Sequence, residues 1–170
     1  MFEIIRYLIN RKKINTGFVF LEKEKFNQAH AVFTELKEKK GMDNYFININ
    51  IAKSLTGMEN YTQARKVYFE SYNQFKLNPV PMVGIALTYI KEKKYLCAYK
   101  YCLKALKLDP IHPYANYYMG IVLIGLNKTA RAQKYFEKVL GERKEFLFSR
   151  LALNFEKNLS FDSGVEPGEF

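Results

Sequence analysis

The chain contains no tryptophan, two cysteines and two histidines in 170 residues, and each shortage removes a class of function. Cys97 and Cys102 lie five residues apart in a stretch that reads as helix. That spacing turns them to different faces and suits neither a disulfide nor a zinc knuckle. Both are expected to be small buried residues in a reducing compartment. His30 and His112 have no ligand-like neighbours in sequence and are expected to be bystanders, so no metal site is expected. Long apolar runs are missing too: nothing approaches the roughly 18 uninterrupted apolar residues of a membrane-spanning helix. In the opening "MFEIIRYLINRKK" the basic cluster Arg11–Lys13 follows the apolar run instead of preceding it. No small-residue cleavage site follows, so the segment does not read as a secretory leader and a cytoplasmic protein is expected. Glycine-rich phosphate loops are absent, and the carboxylates are mostly interleaved with lysines, as in "LEKEKF" and "ELKEKK". With no nucleophile–base pair, paired carboxylates or phosphate loop, neither catalysis nor a cofactor is expected.

Acidic residues are also in short supply, with 17 Asp and Glu against 27 Lys and Arg, for a formal charge of +10. The excess is spread along the chain and only the C-terminal tail is acidic, which reads as a solvated surface. A polyanion-binding patch is the competing reading. Apolar residues at 48% are enough for a packed core.

What the chain has is a period. The segments "NYTQARKVYF", "KYLCAYKYCL" and "KTARAQKYFE" align so that Ala64, Ala98 and Ala132 fall 34 residues apart. Tyr68, Cys102 and Phe136 follow each alanine by four, and Ala52, Ala86 and Gly120 precede each by twelve. An earlier unit, one residue longer, supplies Gly17, Ala29 and Phe33. Small residues at positions 8 and 20 of each unit mark where paired helices approach closely enough for backbones to touch. Turn signals separate them: "TGMEN", "IGLNK", and the prolines Pro79, Pro110 and Pro113.

This pattern resembles the tetratricopeptide repeat, a 34-residue helix–turn–helix unit. The resemblance runs over residues 10–146 and is strongest at 79–146, in "YLCAYKYCLKALKLDP" and "ANYYMGIVLIGL". It departs from the family at position 4, where Asn48, Met82 and Asn116 stand in place of tryptophan, and in "FKLNP", where Leu-Asp-Pro would close the second unit. The implied fold is an all-α, right-handed α-solenoid with units at about 10–44, 45–78, 79–112 and 113–146 inside a domain spanning 1–159. A helix over 146–159, with Phe148, Leu151, Ala152, Phe155 and Leu159 at helical spacing, is expected to cap the last unit. Residues 160–170 are expected to be a loose tail.

The resemblance implies a non-catalytic scaffold, an adaptor or co-chaperone, whose first helices line a groove for a segment of a partner protein. A carboxylate clamp of the kind found in the family would need basic residues and asparagines at five set places. Those places hold Ile14, Phe18, Asn50, Val80 and Gly84, and only Asn50 matches. The groove positions are instead mostly apolar and aromatic: Phe46, Ile49, Asn50, Lys53, Val80, Val83, Leu87, Tyr114, Tyr117, Tyr118 and Ile121. They suit an apolar segment, although any of them can instead pack between adjacent first helices. The alternative is the outer face, where Lys100, Lys104, Lys107, Lys134 and Lys138 would bind RNA or an acidic membrane. Finally "FEIIRYLI" puts Phe2, Ile5, Leu8 and Ile9 on one face. Three roles are open to it: a cap on the first unit, a homodimer contact and a membrane contact beside Arg11–Lys13.

Overall fold

The computed structural model describes residues 2–39 and 44–140. The expected capping helix at 146–159 and the tail at 160–170 lie outside them. Among the described residues there are eight helices and no strand. They are α1 (Phe2–Glu22), α2 (Phe26–Lys37), α3 (Asn44–Gly57), α4 (Tyr61–Gln74), α5 (Val80–Lys91), α6 (Tyr95–Leu108), α7 (Pro113–Gly125) and α8 (Thr129–Leu140). The N-terminal segment runs straight into the first unit, so α1 is a single helix of 21 residues with no break before Asn10.

Each helix packs on the next, and the units stack in chain order. The first helices also reach one another, α5 touching both α3 and α7, while the described second helices show no comparable pairing. An array whose first helices lie closer together than its second helices curves with the first helices inside. All eight residues of the small-residue register are buried: Gly17, Ala52, Ala86 and Gly120 at position 8, and Ala29, Ala64, Ala98 and Ala132 at position 20.

The position-8 residue is matched to the side chain at position 24. A Cβ on Gly17 would come within 2.7 Å of the Phe33 ring, and one on Gly120 within 2.5 Å of the Phe136 ring. The third unit keeps Ala86 and shrinks position 24 to Cys102; both are buried in one cluster. The second unit pairs Ala52 with Tyr68, whose ring leans over Gly84 of the next unit, where a Cβ would meet it at 2.3 Å. Cys102 is 1% exposed and burial pushes its thiol pKa up to about 12, but Cys97 is exposed. The expectation that both cysteines are buried is therefore corrected: α6 turns Cys97 outward, onto the side away from α5 and α7.

The turns inside the units share one geometry. Glu24, Glu59, Lys93 and Asn127 all have φ between 55 and 61° and occupy the same position of successive units. Each turn closes with the paired bonds of a left-handed helix stop. In the second unit the Glu59 N–H donates to Thr56 O at 3.1 Å and the Asn60 N–H to Leu55 O at 2.9 Å. Glycine is the natural residue for that conformation, and none of the four is glycine.

The entry to α7 is built differently. His112 is its N-cap and its Nδ1 accepts the Ala115 N–H at 3.2 Å. Asn116, 1% exposed, donates from Nδ2 to the carbonyls of Pro110 and His112, both at 3.0 Å, and ties the Leu-Asp-Pro turn to the helix. His112 is thus a structural cap, not a bystander. Burial lowers its pKa below the ordinary 6.5, against an opposing pull from Asp109.

Three predictions follow from these contacts. Gly17→Ala improves helix propensity by about 1 kcal/mol, yet Phe33 is fully buried and cannot swing away. The overpacking is expected to win, with a net loss of about 1 kcal/mol in unfolding free energy measured by chemical denaturation. Glu59→Gly is expected to stabilise the fold by about 0.5–1 kcal/mol, read as a raised denaturation midpoint. The third concerns acid. Below about pH 6.5 the unfolded chain takes up a proton on His112 that the folded chain resists, because the cap needs a neutral Nδ1. Stability should fall as pH drops from 6.5 toward the lowered folded value, then level off. The drop in thermal midpoint between about pH 7.5 and about pH 5.5 should be smaller in His112→Asn, which keeps a capping side chain without the titration.

Candidate binding surface

The inner face is formed by α3, α5 and α7. Five of the eleven groove candidates are buried there in packing between helices: Ile49, Asn50, Val83, Tyr117 and Ile121. Asn50 spends its Nδ2 on the Phe46 carbonyl at 2.8 Å, within its own helix. Phe46, Val80, Leu87 and Tyr118 are half-buried, and Lys53 and Tyr114 are exposed. The surface open to a partner is therefore a narrower set: Phe46, Lys53, Val80, Leu87, Tyr114 and Tyr118.

These side chains gather at two places along α5. Near its C-terminal end Lys53, Leu87 and Lys91 line a cleft of about 370 Å³ with Phe26, Thr56, Tyr61 and the turn residues Glu24 and Glu59. Desolvation by these walls lowers the Lys53 pKa. Lys91 and Tyr61 also belong to this cleft, at the last turn of a first helix and the start of a second, outside the groove positions. Near the N-terminal end of α5, Val80 lines a second, open cleft of about 620 Å³ with Phe75, Leu77, Asp109 and His112. Tyr114 is beside it, its ring centroid 6.2 Å from that of His112 and 6.4 Å from that of Tyr118. Burial raises the hydroxyl pKa of Tyr117 and of Tyr118, so both rings act as neutral apolar surface.

On the outer face Lys100, Lys104, Lys107, Lys134 and Lys138 are all exposed. Of the tyrosines near these lysines, Tyr101 and Tyr135 are already covered within the chain. Tyr89 and Tyr101 stack on each other at 5.5 Å, and Lys104 Nζ lies 5.1 Å above Tyr101. Arg65 covers Tyr89 at 4.5 Å, and Lys138 covers Tyr135 at 5.3 Å. Among the described residues no three of His, Cys, Asp and Glu come together as a metal site, and no helix is long and apolar enough to cross a membrane.

The model of the tetratricopeptide repeat matches residues 82–112, the third unit. No curated protein matches the chain. Among solved structures, the first tetratricopeptide domain of Spaghetti (RPAP3), bound to the HSP90 peptide SRMEEVD, superposes with a TM-score of 0.60 at 22% identity, covering 69% of this chain and 96% of that domain. MamA 41-end from Desulfovibrio magneticus RS-1 superposes with a TM-score of 0.62 at 15% identity, over 77% of this chain and 73% of that chain. A tetratricopeptide repeat protein from Parabacteroides merdae does so with a TM-score of 0.62 at 18% identity, over 90% of this chain and 60% of that one. The third unit thus carries the sequence pattern of the tetratricopeptide repeat, and the described residues have the fold of tetratricopeptide-repeat proteins.

Proposed function

We propose that the chain is a non-catalytic adaptor or co-chaperone of the cytoplasm that holds an apolar segment of a partner protein along its inner face. The observation that carries this reading is the pair of clefts at the two ends of α5, bordered by the half-buried Val80 and Leu87. A segment lying along α5 would meet Val80 and Tyr114 at one end and Leu87, Lys53 and Tyr61 at the other. Tyrosine and leucine offer large contact area there with little charge to desolvate. The Spaghetti (RPAP3) domain was solved with an HSP90 peptide, which supports a peptide as the kind of occupant. Its acidic peptide is not the one expected here, because the clamp places hold Ile14, Phe18, Val80 and Gly84, and Asn50 is buried.

The outer face supports a second reading through one feature: α6 carries no acidic residue, and its exposed side presents Leu96, Lys100, Leu103, Lys104 and Lys107. Binding of a polyanion there would weaken steeply with salt, whereas an apolar segment in the groove would be nearly indifferent to it. The expected outcome of affinity capture from lysate is a protein partner that survives moderate salt. Tyr114→Ser combined with Leu87→Ser should weaken that partner's binding about tenfold or more, with circular dichroism unchanged. Recovery of nucleic acid that washes off with salt, regardless of these substitutions, would move the function to the outer face.

A further inference from the structure

The loops that join successive units border the cleft near the N-terminal end of α5 and carry a second feature on their solvent side. Leu77 is 87% exposed and Ile111 is 83% exposed. They stand 34 residues apart at the same position of the second and third units. The two loops are neighbours on one edge of the array, since residues Phe75–Val80 line one cleft with Asp109 and His112. Tight turns hold both loops. Asn78 Oδ1 accepts the Val80 N–H at 3.0 Å, and Asp109 Oδ1 accepts the Ile111 N–H at 3.1 Å. Close to Leu77 and Ile111 in sequence are two rings that are about half exposed, Phe75 at 56% and Tyr114 at 50%, and the exposed Lys76 and Lys107. From the last turn of α4 to the first turn of α5, and from the last turn of α6 to the first turn of α7, Asp109 is the single acid. It is half-buried and bonded to the Ile111 amide.

Turn tips are ordinarily polar, and side chains this exposed bury almost nothing in the fold. What they offer is graded by exposure, with the aliphatic groups most exposed, the aromatic rings about half exposed, and lysines beside them. A bilayer surface has the same order from the inside out, with acyl chains first, then the interface where aromatic rings settle, then headgroups that attract lysines when anionic. We propose that this edge docks on an anionic bilayer, with Leu77 and Ile111 entering the acyl boundary and Lys76 and Lys107 among the headgroups. A docked bilayer would cover the cleft near the N-terminal end of α5, which Phe75 and Leu77 line, and leave the cleft of Lys53 and Leu87 at the other end open.

The test is co-sedimentation with vesicles of phosphatidylcholine, with and without phosphatidylserine. The wild type should sediment with the phosphatidylserine vesicles and much less with the neutral ones. Leu77→Ser/Ile111→Ser, at positions too exposed to disturb the core, should lower the partition coefficient at least about tenfold with circular dichroism unchanged. Lys76→Glu/Lys107→Glu should abolish the preference for phosphatidylserine. A wild type that stays in the supernatant, that binds neutral vesicles equally well, or that binds no better than the aliphatic double variant would overturn the proposal. So would a wild-type dimer by analytical ultracentrifugation that the same double variant makes monomeric, which would assign the edge to a second copy of the chain.

Discussion

The side chain at position 24 of each unit is the contact on which the rest of the array depends. It lies against position 8 of its own unit and faces the first helix of the next, so its size must be matched on both sides. The first and fourth units match large with none: Phe33 over Gly17, Phe136 over Gly120. The second unit spreads Tyr68 between Ala52 and Gly84, with the hydroxyl bonded to Thr56 and its pKa raised by burial. The third inverts the scheme, with Cys102 small and Tyr118 of the next unit large and close enough to be influenced by its thiol. Interiors packed to crystal density leave no slack, so a change at one of these positions must be answered at another.

That matching decides which groove positions remain available. Tyr118 packs against the cluster that holds the small Cys102 and is itself half-buried, so it contributes surface to both core and groove. Gly84 cannot carry a side chain toward a partner, because the ring of Tyr68 already covers it. The buried set, Ile49, Asn50, Val83, Tyr117 and Ile121, is spent on holding first helices together, which their stacking requires. Binding is left to side chains at the ends and along the rim of α5. The narrower surface is therefore a consequence of solenoid packing: the same helices must bind their neighbours and a partner.

The period was legible because it rests on residues that only one environment tolerates. Gly and Ala at positions 8 and 20 recur every 34 residues since two helix backbones meet there, and all eight are buried. The exposure of the candidates was not legible, because an apolar or aromatic residue on a first helix satisfies both a groove and a helix–helix seam. The left-handed turn residues were hidden for the opposite reason. Glu24, Glu59, Lys93 and Asn127 carry none of the glycine that such a backbone favours. Tertiary packing of the flanking helices holds them there. His112 was misread because capping depends on one backbone amide three residues on, which no spacing of ligand-like residues reveals.

A repeat array multiplies whatever it places at one position. Equivalent residues of stacked units line up, so a single exposed leucine in one loop is incidental, while a second aliphatic at the same position of the next unit makes an edge. The same rule separates the surfaces. Positions on first helices collect on the inner face, those on second helices on the basic outer face, and those in the connecting loops on the rim with Leu77 and Ile111. Each unit contacts only its neighbours, so the three surfaces are coupled through the shared core and, where the loop edge meets the groove and the outer face, through Tyr114 and Lys107. A substitution at an exposed position that belongs to one surface alone, such as Lys53, Lys134 or Ile111, should leave the other two intact, whereas Tyr114 and Lys107 each belong to two.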